Sequence, residues 1–121
     1  MSQFPTPKPY DLEERTFQFA RGCRDFVKKL PRSICNMEDG KQLVRSSGSV
    51  AANYIEANES VSRKDFALRV KIARKEAKES RLWLRLCEPQ EMSDFKKDQQ
   101  LLIAEAVELG KIFGAILEKT K

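Results

Sequence analysis

The chain has 121 residues, of which 34% are charged and 40% are apolar, and it carries a net charge of +5. That length accommodates one domain with one modest core. It holds no histidine, which removes the commonest general base near neutral pH and the usual metal ligand, and rules out Ser/His/Asp and Cys/His machinery.

Residues 1–10, MSQFPTPKPY, place proline at positions 5, 7 and 9, which forbids helix and predicts an extended N-terminal arm. The arm lacks the basic-then-apolar pattern of a signal peptide, and no apolar run approaches the roughly 18 residues needed to span a bilayer. The expected location is therefore cytoplasmic, with no membrane partner. From Asp11 the pattern changes: Leu12, Phe19, Ala20, Cys23, Phe26, Val27 and Leu30 recur at helical spacing, predicting a first helix over about 11–29 that Pro31 closes.

Asn36, with Asp39 three residues on, reads as an N-cap arrangement opening a second helix over about 37–58. Its stripe is Leu43, Val44, Ser47, Val50, Ala51, Tyr54 and Ile55. Gly40 and Gly48 lie inside this helix, each at a cost of about 1 kcal/mol relative to alanine. Ser46, Ser47, Gly48, Ser49, Ala51 and Ala52 suggest the compensation, since small side chains let another helix approach closely.

Ser62 followed by Asp65 marks the next N-cap, and the third helix runs over about 63–87 until Pro89 stops it. Ser93 and Asp94 open a fourth, over about 93–119, on the stripe Leu102, Ile103, Ala106, Leu109, Phe113, Ile116 and Leu117. No segment alternates with period two. The fold class expected is all-α, an antiparallel up-down four-helix bundle forming a single domain over 11–121.

Charge is concentrated in the third helix: residues 61–90 hold nine Lys/Arg against four Asp/Glu, while the flanking segments nearly balance. At 100° per residue, Phe66, Val70, Ala73, Ala77, Ser80 and Leu84 define the core face. Arg63, Lys64, Lys71, Arg74, Lys75, Lys78, Arg81 and Arg85 share the next sector. Only Asp65, Glu76 and Glu79 lie along the helix to neutralise them. A solvated charged surface is the plain reading, and nucleic-acid binding through phosphates, RNA or DNA, is the functional one. Leu68, Ile72, Leu82, Trp83 and Leu86 form a second apolar face, a candidate oligomer interface unless the N-terminal arm covers it.

Nothing reads as catalytic. Glu56 and Glu59 could share a helix face, but two carboxylates alone are better explained as cap or ion-pair residues, and no Gly-rich phosphate loop is present. Cys23, Cys35 and Cys87 are odd in number and contain no CxxC pair, so they read as reduced packing residues rather than a disulfide or zinc framework. The expectation is a protein that is not an enzyme and has no cofactor, no metal and no small-molecule substrate.

The segment Leu43–Leu86 resembles the four-helix-bundle proteins encoded in intervening sequences of bacterial large-subunit ribosomal RNA genes. The features that match are Ser49, Val50, Asn53 and Glu56, then Ala57, Asn58, Glu59 and Ser60 at the turn. Lys64, Asp65 and Phe66 follow, continuing into Ala73, Arg74, Lys75, Glu76 and Trp83. The resemblance implies an up-down bundle and, from the wider group, a ring-like homo-oligomer, often a pentamer. That group includes the accessory variability protein of diversity-generating retroelements, which works with a reverse transcriptase and binds nucleic acid through basic surface. From the residues themselves, Ser49, Asn53, Glu56 and Glu59 read as a structural junction aiming the third helix, with Arg45 pairing with Glu56 or a neighbouring subunit. Two functions follow as expectations: a homo-oligomeric nucleic-acid-binding accessory protein or, alternatively, a protein–protein scaffold.

Overall fold

The computed structural model describes residues 11–90 and 93–121 and is all-α, with no strand among the described residues. Its helices are α1 (Leu12–Lys28), α2 (Ile34–Asn58), α3 (Arg63–Leu86) and α4 (Ser93–Lys119). The expected extended arm at 1–10 lies outside the described residues.

Contacts between successive helices join the beginning of one to the end of the next. Glu13 of α1 accepts from Asn58 of α2, while a Cβ added at Gly40 would stand 3.1 Å from Val27. Arg69 donates to Asn53 near one end of α3, and the Ser46 and Ser80 hydroxyls lie 2.8 Å apart toward the other. Gln99 of α4 donates to the Leu84 and Cys87 carbonyls, which the end of α3 leaves without intrahelical partners. The ring of α1 Phe26 meets Phe95 edge-on. The contact between α2 and α3 is the most extensive, and that between α1 and α4 the least.

Of the small residues of α2, Ser46 and Ser47 are buried as their size predicts, Ser46 against Ser80 of α3, whereas Gly48, Ser49 and Ala51 are half-buried and Ala52 is exposed. Ser46, Ser47 and Ser80 are fully buried, and each serine hydroxyl finds an acceptor or partner, so close approach costs no unsatisfied group. Around this seam the core is built from Phe19, Leu43, Val50, Val70, Leu84, Leu102, Leu109 and Phe113, all at most 1% exposed. Cys23 and Cys87 are buried free thiols whose desolvation pushes them up to about 12, which keeps both protonated at neutral pH.

Two expectations for α2 change. Its N-cap is Ser33, whose hydroxyl accepts from the Asn36 amide, and the helix starts at Ile34, three residues earlier than expected. Asn36 is instead buried inside the first turn. Its Nδ2 donates to the Pro31 and Glu88 carbonyls and its Oδ1 accepts from the Glu88 amide, at 2.8–3.0 Å. One side chain thus fastens the α1–α2 connection to the α3–α4 connection. Ile55, expected on the buried stripe, is 47% exposed in a shallow groove with Phe17 on the α1–α2 surface.

Arg15 and Glu105 form the main polar tie between α1 and α4. The guanidinium meets both carboxylate oxygens at 2.8 Å, and both side chains are largely buried. The hydrogen bonds that Arg15 donates to Glu105 raise the pKa of its guanidinium above the ordinary value.

Candidate nucleic-acid interface

Ser62 starts α3 as expected, its hydroxyl accepting from the Asp65 amide at 3.0 Å. The helix then buries Val70, Ala73, Ala77, Ser80 and Leu84. This orientation turns Arg63, Lys64, Lys71, Arg74, Lys75, Lys78, Arg81 and Arg85 outward, and all eight are exposed.

The acids of α3 do not neutralise them. Glu76 is buried, and it and Glu79 point toward α2, where Arg45 meets them at 3.4 and 3.3 Å. Arg45 therefore pairs across the α2–α3 seam, and its expected partner Glu56 makes no ion pair among the described residues. The consequence is a partial electrostatic separation: α3 commits Glu76 and Glu79 to Arg45, keeps only Asp65, in its first turn, exposed, and leaves its cations to solvent. None of the eight forms an ion pair with a described carboxylate.

The field extends onto α4. Between α3 and α4 lies a groove of about 290 Å³ lined by Arg74, Lys78 and Arg81 from α3 and by Lys111 from α4, over Ala77, Ala106, Val107 and Gly110. A neighbouring depression continues past Arg81 to Arg85, Gln99, Gln100 and Ile103. The Arg74 guanidinium leans over α4, within 3.6–3.7 Å of where a Gly114 Cβ would be. Gly110 differs from Gly40, Gly48 and Gly114, because an added Cβ there meets nothing within 4 Å. A glycine inside a helix costs about 1 kcal/mol relative to alanine. At Gly40, Val27 explains that cost; at Gly110 no neighbour does. Lys111 and Gly110 were not singled out from sequence, because neither belongs to a charge run or a motif.

The junction residues divide. Asn53 donates to the Ser49 carbonyl and hydroxyl and accepts from Arg69 of α3 at 3.2 Å, so Ser49 and Asn53 help join α2 to α3. Glu56 and Glu59 are exposed, and Glu59 contributes only its backbone, as the C-cap of α2. Among the five apolar residues, Leu68, Leu82 and Leu86 are 54%, 45% and 46% exposed, whereas Trp83 and Ile72 are half-buried, Trp83 against the core. The indole Nε1 of Trp83 is buried without a hydrogen-bond partner. Leu68 stands about 21 Å of helix rise from Leu82, so the exposed leucines form two small clusters rather than one sheet of apolar surface.

Among the described residues no group of three or more His, Cys, Asp or Glu is placed to hold a metal ion, and no helix is long and apolar enough to cross a membrane. The fold thus defines an all-α four-helix protein with one strongly basic, solvent-facing helix surface. The family model described as 23S rRNA-intervening sequence protein matches residues 9–115, and the chain belongs to that family. It is similar to a solved structure, a protein of unknown function from the S23 ribosomal protein family of Bacteroides thetaiotaomicron VPI-5482. The two share 27% identity and a TM-score of 0.75, over 88% of this chain and 98% of that one. A search of curated proteins finds no match.

Proposed function

We propose that this protein is a non-enzymatic, homo-oligomeric nucleic-acid-binding accessory protein of the cytoplasm, contacting phosphates through the basic face of α3. One observation carries the reading: eight exposed cations share a helix whose own buried and half-buried glutamates are committed to Arg45. Uncompensated cations on a rigid element attract polyanions from a distance and release counterions on contact. Contacts of this kind position a backbone and carry little base specificity. Membership of the 23S rRNA-intervening sequence protein family names no ligand, so RNA and DNA are tested side by side.

Fluorescence anisotropy with labelled single-stranded RNA and DNA, repeated from low to moderate salt, tests it. With four or more phosphates contacted, log K should fall against log salt with a slope of about −3 or steeper. No binding at low salt would remove the proposal.

The bundle is read as antiparallel and up-down, and as the unit of a ring-like homo-oligomer, with a pentamer favoured by the family resemblance. Leu82 and Leu86, together at one end of α3, are the surface for that contact. Light scattering should return a mass several times 13.9 kDa, and Leu86→Asp should lower it. A monomeric wild-type protein would exclude self-assembly and leave a scaffold for another protein as the role of these leucines.

A further inference from the structure

We propose that the groove between α3 and α4, walled by Arg74, Lys78, Arg81 and Lys111 and floored by Ala106 and Gly110, seats the phosphodiester backbone of a single nucleic-acid strand. The inference rests on the reading of α3 as a nucleic-acid-binding surface and assigns the place within it where the strand lies.

Three features of the groove converge. Every charged residue in its lining is a cation, and Lys111 comes from a different helix than the other three, so the charge is focused into the groove rather than spread over the crest of α3. The space at Gly110 is open, with no atom within 4 Å of an added Cβ. Helix packing does not require glycine there, whereas a backbone resting on the floor does, because any side chain would project into its path. The lining also contains no aromatic ring and no carboxylate. It therefore offers no aromatic platform for a base and no carboxylate to repel a phosphate.

The dimensions favour one strand over two. The groove is a surface concavity of about 290 Å³, room for a short run of one backbone and far less than a duplex occupies. A duplex would touch the rim cations without reaching Gly110. Arg74, Lys78 and Arg81 follow the groove over about 10 Å of rise, and Arg81 also borders the next depression, with Arg85, Gln99 and Gln100. A strand leaving the first seat thus passes directly into a second.

The test is Gly110→Leu, with Gly110→Ala as a smaller step, measured in the full chain against single-stranded RNA, single-stranded DNA and a duplex of the same sequence. Neither substitution alters charge, and both replace glycine with a better helix former, so helicity and thermal midpoint should be kept or raised. Gly110→Leu should weaken single-strand binding on the order of tenfold and leave duplex binding nearly unchanged. Lys111→Gln should flatten the salt dependence of single-strand binding by about 0.7 in slope. If Gly110→Leu binds single strands like wild type while reversing the α3 cations abolishes binding, the groove is not the seat and the α3 reading stands. Equal losses for duplex and single strand overturn the single-strand assignment. A wild-type chain that binds neither removes both readings.

Discussion

Reversing the charge of Arg74, Lys78 and Arg81 together, each to Glu, will reduce affinity for single-stranded nucleic acid on the order of a thousandfold at low salt while leaving the helical content intact. The size follows from elementary electrostatics. A unit charge about 4 Å from a phosphate contributes about 1 kcal/mol in water, and reversal replaces that attraction with a repulsion that solvent and salt partly screen, about 1.4 kcal/mol or tenfold per site. Three such changes on one face therefore approach the whole of a non-specific electrostatic affinity. The fold should survive because all three side chains are exposed and make no ion pair with a described carboxylate, and surface substitutions of this kind are usually within about 0.5 kcal/mol. Anisotropy paired with far-UV circular dichroism reads both halves. Unchanged affinity in a folded variant would show that the basic face is only a solvated surface.

The second large effect is on stability. Arg15→Met should lower the unfolding free energy by about 3–5 kcal/mol, because it strands the Glu105 carboxylate in a largely buried site. Glu105 is 8% exposed and receives both of its close hydrogen bonds from Arg15. The α1–α4 contact is also the least extensive in the bundle, so few neighbouring interactions can take up the loss. Marginal stabilities of about 5–15 kcal/mol make a change of this size easy to measure in urea. Arg15→Met combined with Glu105→Leu should recover most of it, since an apolar pair no longer buries a charge. A single variant as stable as wild type would mean that water reaches the carboxylate.

Local chemistry made much of this fold legible. Proline punctuation and the Ser62 cap fixed α3, and the 3.6-residue stripes located α1 and α4, because these signals act within a few residues of where they are written. The start of α2 is misplaced by the sequence: Asn36 reads as the cap, whereas the capping hydroxyl is that of Ser33. What separates them is the burial of Asn36 against Glu88, 52 positions away. The basic face and the shortage of acids along it were both legible from the sequence, but where Glu76 and Glu79 turn was not, because their partner Arg45 lies on a neighbouring helix. The apolar face was overdrawn for the same reason: a wheel gives a residue's angle on its own helix and not the position of the helix beside it, so Trp83 and Ile72 were placed with the exposed leucines. Gly110 and Lys111 carried no signal, since a groove belongs to two helices and neither is marked by pattern.

The Asn36 clasp makes the two poles of the bundle unequal. At its pole, the connection after α1 and the connection after α3 share one side chain, so neither can peel away without releasing the other. At the opposite pole the α2–α3 turn is held by its own caps, Glu59 and Ser62, and by two single hydrogen bonds, from Asn58 to Glu13 and from Arg69 to Asn53. Opening from the Asn36 pole is thus a concerted event involving three helices at once, while breathing at the other end can stay confined to a single turn. The amide of Glu88, in a segment with no helix of its own, is tied to the most cooperative part of the molecule. Amide hydrogen exchange should accordingly be slowest around Asn36 and Glu88 and faster at the N-terminal end of α3, where Arg63 and Lys64 lie.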